Sequence, residues 1–202
     1  GRSYVGGIGG NLALVRSMKK VANTAPVKAF GNGNDVYAGG LFGSLDVGVL
    51  VEDAYNWGEV STDGVAGGIY GVVWTSMYDD GTGRYYVAEM DLKNIYNAAP
   101  VHATSAANTN PIGVLAGCEI ATDPDFQVLV YNDSTNVHEK GCVEMSEFRG
   151  DVLVQYFVWT SPLSTKYMQS DDFVDLLNTS GKTVENRHVW NGRETYPVFD
   201  EE

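Results

Sequence analysis

The sequence contains no apolar run approaching the roughly 18 residues that a bilayer-spanning helix needs. It is also short of positive charge. Thirteen Lys and Arg stand against 26 Asp and Glu, for a formal net charge of −13. Binding a nucleic-acid backbone requires Lys and Arg to displace counterions, so that class of partner is excluded. An anionic membrane surface is disfavoured for the same reason. There are two cysteines and three histidines. No Cys/His cluster and no His-Glu-x-x-His spacing offers a zinc site. No Gly-x-Ser-x-Gly elbow and no phosphate loop ending in Lys-Ser/Thr is present. Neither a catalytic constellation, a cofactor site nor a metal site is therefore expected. Asp79-Asp80 and Asp123-Pro124-Asp125 are read as turn residues, because the full calcium-loop pattern is missing.

What the chain does have is glycine and tyrosine, 24 and 12 of them in 202 residues. With only 19% charged residues, this suits a β-rich protein with many tight turns. The glycines are not scattered. Tyr4-Val5-Gly6-Gly7-Ile8-Gly9-Gly10 returns as Tyr37-Ala38-Gly39-Gly40-Leu41-Phe42-Gly43 and as Val65-Ala66-Gly67-Gly68-Ile69-Tyr70-Gly71. A looser copy is Pro111-Ile112-Gly113-Val114-Leu115-Ala116-Gly117. A second phrase follows in step. Val21-Ala22-Asn23-Thr24-Ala25-Pro26-Val27 reads against Ala54-Tyr55-Asn56-Trp57-Gly58-Glu59-Val60 and Ile95-Tyr96-Asn97-Ala98-Ala99-Pro100-Val101, and Val130-Tyr131-Asn132 is the shortest copy. Gly7 to Asn23 and Gly40 to Asn56 are both sixteen residues, whereas Gly68 to Asn97 is twenty-nine. Repeated phrases in fixed order mark stacked copies of one supersecondary unit. The fold class expected is all-β, a parallel β-solenoid of about four degenerate Gly-rich repeats. Ile8, Leu41, Ile69 and Leu115 should then occupy equivalent buried positions. Asn23, Asn56, Asn97 and Asn132 should stack as a structural ladder rather than bind a ligand.

Gly-Gly-[Ile/Leu]-x-Gly followed by Tyr-Asn-x-Gly-x-Val resembles the GLUG-motif repeats of large bacterial surface and secreted proteins, some of them attached to IgA-protease-like peptidases. The C-terminal stretch, with Ser170–Asn178, Trp190-Asn191-Gly192 and Tyr196–Phe199, is similar to the segment that often closes such arrays. Asn132 lacks the Gly-x-Val that should follow it, and Asn23 lacks the preceding Tyr. The resemblance implies a β-solenoid and an extracellular or cell-surface location. It transfers no catalytic residue.

Residues 1–146 are read as solenoid repeats and 147–202 as C-terminal strands plus a capping helix. The runs Val47–Val51, Val128–Tyr131 and Asp151–Trp159 are expected to be strands, the last covered on both faces. The helix falls near 170–178. Phe173, Val174, Leu176 and Leu177 make one apolar face, with Ser170 as N-cap and Asp171 and Asp172 favouring the dipole. It and a Tyr196–Phe199 strand would close the last coil, whose edge would otherwise be open. Because Gly1 lies almost on a repeat phrase, the sequence is expected to be a mature fragment or a piece of a longer chain.

The thirteen extra residues of the third repeat fall in 72–90, where two β-prone runs flank Asp79-Asp80-Gly81-Thr82-Gly83. They read as a hairpin leaving the solenoid body, and insertions in repeat proteins collect on the binding face. Trp74, Tyr78, Tyr85 and Tyr86 would form an aromatic platform for sugar rings or a surface protein. Alternatively, these aromatics only hold the hairpin together. Cys118 and Cys142 flank about one repeat. They either form a disulfide, worth about 3 kcal/mol by chain entropy, or pack as buried thiols. Two function classes remain: a non-catalytic surface repeat module for adhesion or for glycan or protein binding, and a β-solenoid polysaccharide-degrading lyase or hydrolase.

Overall fold

A computed structural model describes the chain except for residues 13–16, 32–34, 46–49, 74–76, 80–84, 88–90, 104–111, 114–115, 119–127, 134–144, 150–151, 157–159, 181–188, 193–194 and 201–202. Four parallel sheets run the length of the repeats, and each coil lends one strand to each sheet it reaches. The first sheet stacks Ser3–Gly6, Val36–Gly39, Val65–Gly67 and Ile112–Gly113. The second stacks Gly9–Leu12, Phe42–Leu45, Tyr70–Val73 and Ala116–Cys118. The third, the widest, stacks Ser17–Asn23, Leu50–Asn56, Asp91–Asn97, Val128–Asp133 and Thr160–Leu163. Val27–Ala29, Val60–Thr62 and Val101–Ala103 form the fourth. The protein is an all-β parallel solenoid, and its register is the alignment of the repeated phrases: Val5 pairs with Ala38, Ala38 with Ala66, and Asn23 with Asn56.

The interior follows from this stacking. Leu41, Phe42, Leu45, Val51, Ala54, Ile69, Tyr70, Leu92 and Ile95 form one fully buried cluster. Val27, Val36, Ala38, Val60, Ala66 and Val101 belong to a second. The amides of Ile8 and Leu41 donate to the carbonyls of Leu41 and Ile69, so these residues do stack in sequence order. Leu41 and Ile69 are buried as expected, but Ile8 is 45% exposed. The correction has a simple cause: Ile8 belongs to the first coil, and no described strand lies above it. Leu115 lies outside the described residues.

One residue in each seven-residue strand of the third sheet takes the left-handed conformation: Lys20, Asp53 and Asn94, with φ of 53°, 57° and 54°. This bend resets the two-residue alternation. Val51 and Ala54 therefore both face the core, although they are three positions apart. Asp and Asn tolerate this conformation far better than Lys. Beyond the bend the alternation resumes, with Ala54 in the core, Tyr55 in the flank cluster and Asn56 buried.

The paired glycines belong to the same coil geometry. A Cβ on Gly7 would overlap the Asn23 side chain, and one on Gly40 would overlap the Asn56 side chain and the Gly68 carbonyl. The glycine phrase and the asparagine phrase thus face each other across one coil. Their sixteen-residue offset is the path length between them.

Three elements lie outside the four sheets. Met77–Asp79 and Tyr85–Val87 form an antiparallel pair. Met145–Arg149 and Val152–Tyr156 form another, so the described part of the strand expected over 151–159 is one arm of a two-stranded ribbon. Trp190–Asn191 pairs with Val198–Phe199. Helix α1 spans Thr165–Met168 and helix α2 Asp171–Ser180. Ser164 caps α1, its hydroxyl accepting from the Tyr167 amide. Phe173 and Leu177 turn the apolar face of α2 inward, as its sequence demands. That face packs on Tyr96 and Tyr131, while Trp190 and Phe199 pack on Tyr55, in one cluster reaching Ala22 and Trp57 of the earlier coils. The C-terminal segment therefore covers a flank shared by several coils, not the last coil alone.

Candidate functional site

The hairpin register decides which of the expected binding residues meet. Tyr78 and Tyr86 are direct partners across the two strands, and Met77 opposes Val87. Tyr85 falls one position out of step, opposite Asp79. Tyr78 and Tyr86 are thus brought together by the backbone, and Tyr85 is not opposed to either. Trp74 lies outside the described residues. The two strands hydrogen-bond only with each other among the described strands, so the excursion stands apart from the coil ladders. Cys118 ends the strand Ala116–Cys118 in register with Val72, and Cys142 lies outside the described residues.

The polar groups of the coils are engaged with one another. Asn23 Nδ2 donates to Asn56 Oδ1 at 3.0 Å, and Asn56 Nδ2 donates to Asn97 Oδ1 at 2.8 Å. Each amide also closes a local turn: Asn23 Nδ2 donates to Ala25 O, Asn56 Nδ2 to Gly58 O and Asn97 Nδ2 to Ala99 O. The Ala25 and Gly58 amides donate back to Asn23 and Asn56 Oδ1. Burial of these side chains is tolerated because their donors and acceptors are matched along the stack. Asn132 continues the register below Asn97.

Two buried carboxylates secure the C-terminal segment. Asp53 Oδ1 accepts from Trp190 Nε1 at 3.1 Å and from Asn94 Nδ2 at 3.2 Å. Asp133 accepts from the Thr165 hydroxyl at 2.9 Å and from the Tyr196 hydroxyl. Tyr96 adds a third link: its hydroxyl accepts from Trp57 Nε1 at 2.9 Å and donates to the Pro197 carbonyl. Desolvation pushes the Tyr96 hydroxyl well above the ordinary tyrosine range, and the bond from Trp57 opposes only part of that shift. Sequence reasoning placed a closing segment here but missed its dock. The signal was present in Tyr55, Tyr96 and Tyr131, one position before each ladder asparagine, where a strand must point a side chain away from the Asn face.

Other titratable groups pair on the surface of the coils. His102 Nε2 lies 3.9 Å from Glu59 Oε1, both about half exposed, and Lys19 pairs with Glu52 on the third sheet. Among the described residues, no group of three or more His, Cys, Asp or Glu side chains could hold a metal ion. Nor is any described helix long and apolar enough to cross a membrane.

The class defined by these observations is a parallel β-solenoid with a laterally strapped C-terminal segment. No family model matches the chain, and no curated protein is significantly similar to it. Among solved structures it is similar to the crystal structure of a "putative immunoglobulin A1 protease" from Bacteroides ovatus. The TM-score is 0.60 at 20% identity, over 98% of this chain and 53% of that one. The chain thus spans about half the length of the structure it matches, and the likeness is one of fold.

Proposed function

We propose that the chain is a non-catalytic GLUG-type repeat module of a larger bacterial surface or secreted protein, presenting its third-repeat hairpin to a glycan or a surface protein. One observation carries this reading. The repeat-aligned ladder asparagines and the buried Asp53 and Asp133 are engaged within the fold, whereas the hairpin pairs only with itself. Chemistry that needs a poised carboxylate or imidazole finds these buried groups already committed to holding structure. Tyr78 and Tyr86 are partners in the hairpin register, and tyrosine is a residue type on which sugar rings stack. The partial match to a larger structure named as a protease is compatible with a module carried beside other segments.

A glycan array on the wild-type chain and on a Tyr78→Ala, Tyr86→Ala double variant tests the reading, with melting followed in parallel. Binding lost at unchanged melting temperature supports it. Reducing-sugar release from a polysaccharide, or fragments from immunoglobulin A1, would replace it with an enzyme.

A further inference from the structure

Of the asparagines whose side chains are described, all but one are held by hydrogen bonds. Asn23, Asn56 and Asn97 form the ladder, and Asn94 donates to Asp53. Asn11 accepts from the Ser44 hydroxyl, and Asn178 bonds the backbone of Val189 and Trp190. Asn191 is the exception. Its side chain is exposed and makes no hydrogen bond among the described residues.

Glycine follows it. The amide nitrogen that can reach the Asn191 side-chain carbon thus belongs to a residue with no Cβ to shield it. The Gly192 amide donates to no described group. A Cβ on Gly192 would stand 3.2 Å from Asp171 Oδ1 and 3.3 Å from Val174 Cγ2, so the chain passes close over α2 here. Asn191 partners Val198 in a ribbon whose strand is only two residues long. A local opening of that ribbon frees its backbone to turn without disturbing the coils. Asparagine is a thermolabile side chain, and the restraints that protect the others are missing at this one. Asn32-Gly33 is the sequence's other such pair, and it lies outside the described residues.

The position matters because of what flanks it. Trp190, one residue before, is buried and carries the indole that Asp53 accepts. Asn178 fixes the backbone of Val189 and Trp190 with three hydrogen bonds. Further along, Tyr196 is anchored to Asp133 and the Pro197 carbonyl to Tyr96. Asn191 lies on the path between these two sets of anchors, so the length of its main chain bears on both.

We infer that Asn191 is a site of spontaneous deamidation in the folded chain, and that its isoaspartate product loosens the C-terminal segment from the flank. The Gly192 nitrogen bonds to Asn191 Cγ and gives up its proton to solvent. The Cγ–Nδ2 bond breaks, and ammonia leaves after taking a proton from water. Water then opens the cyclic imide. Opening at Cγ gives aspartate. Opening at the former main-chain carbonyl gives isoaspartate, in which the chain runs through Cβ and Cγ and the α-carboxylate is free. The main chain between Trp190 and Tyr196 is then longer by a methylene, and a new negative charge stands near Asp171.

Incubation of the intact chain in mildly alkaline buffer, with peptide mapping over time, tests the inference. The tryptic peptide from His188 to Arg193 carries Asn191 apart from Asn32. Its amide-to-acid mass change, and its methylation by a protein isoaspartate methyltransferase, therefore report this site alone. Conversion should quicken as pH rises, disappear in Asn191→Gln and slow several-fold in Gly192→Ala. The isoaspartate form, separated by ion exchange, should melt below the wild type. It should also melt below Asn191→Asp, which has the charge but the native chain length, and it should bind a hydrophobic dye that the wild type does not. If Gly192→Ala disturbs the approach to α2, Asn191→Gln carries the test. Conversion in the urea-unfolded chain but not in the folded one overturns the inference, because the fold would then protect the site. So does an isoaspartate form that melts with the wild type, since the segment would then tolerate the longer chain.

Discussion

The indole of Trp190 donates to the carboxylate of Asp53 across 137 residues of sequence, at 3.1 Å and in the interior. Asp53 takes a left-handed backbone at the bend of its strand, and that bend presents its oxygen to the flank. Trp190 also packs on Tyr55, Tyr96 and Phe199. The bond is charge-assisted, and its loss would leave a buried carboxylate short of a donor. Trp190→Phe retains most of the aromatic packing and removes the N–H. We expect it to lower stability by about 1–3 kcal/mol, read from urea or thermal unfolding. Unchanged stability would show that water or a neighbouring group replaces the indole.

The glycines differ sharply in what they tolerate. An alanine at Gly40 would drive its Cβ into the Gly68 carbonyl and the Asn56 side chain, both of which are held by the stack. At Gly9 the nearest atom to an added Cβ is Phe42 Cδ1, at 3.8 Å. Gly40→Ala should therefore abolish cooperative folding or cost more than about 3 kcal/mol, as overpacking against a fixed backbone does. Gly9→Ala should be neutral, or should stabilise by about 0.4–1 kcal/mol through the unfolded chain. Circular dichroism melts of the two proteins provide the comparison.

Both motifs and their order were legible in the sequence, because a solenoid repeats its local chemistry once per coil. The sixteen-residue offset of Gly7 and Asn23 recurs in Gly40 and Asn56 for a physical reason, namely that each asparagine fills the space its glycine leaves. The helix near 170–178 was legible from the spacing of Phe173 and Leu177. Its docking place was not, since Tyr55, Tyr96 and Tyr131 read locally as parts of three separate phrases and become one surface only when the coils stack. The exposure of Ile8 was hidden for a related reason. A repeat position looks the same in every copy, whereas burial depends on having a neighbour above.

The ladder predicts a graded response. Asn56 lies inside it and serves Asn23, Asn97 and both backbone groups of Gly58. Asn23 stands at its end and serves Asn56 and Ala25. Each buried group left without a partner costs about 1–3 kcal/mol. Asn56→Ala should therefore cost distinctly more than Asn23→Ala in equilibrium unfolding. Equal losses would mean that the stack contributes nothing beyond its local turns.

Tyr70 is the buried group least well served. Its ring stacks on Phe42, with centroids 5.6 Å apart, and its hydroxyl has no hydrogen-bond partner among the described residues. Phe42 holds the equivalent place one coil earlier. Tyr70→Phe should stabilise the protein by about 1–3 kcal/mol, because it removes an unsatisfied polar atom while preserving shape. Burial raises the pKa of Tyr70, and Tyr96 is raised chiefly by the same cause. From about pH 10 the unfolded chain releases these protons while the folded chain holds them. The native state then binds more protons, so stability falls as pH rises. The variant should lose stability less steeply than wild type above about pH 10. Parallel curves would assign alkaline unfolding to other groups.

Removing residues 164–202 tests the flank. The segment buries Tyr55, Tyr96 and Tyr131 beneath Met168, Phe173, Leu177 and Trp190. It also supplies one hydrogen-bond donor to Asp53, two to Asp133, and the carbonyl that the Tyr96 hydroxyl reaches. Without it, a row of tyrosines spanning several coils would face water beside two carboxylates that have each lost hydrogen-bond donors. Contiguous apolar surface of that kind associates with other copies. The shortened chain should aggregate on size-exclusion chromatography with light scattering, and it should bind a hydrophobic dye that the full chain does not. The association should persist at high salt, because burial of apolar surface drives it. A truncated chain that remains monodisperse and melts at the wild-type temperature would show that the repeats fold independently and that the segment is an appendage.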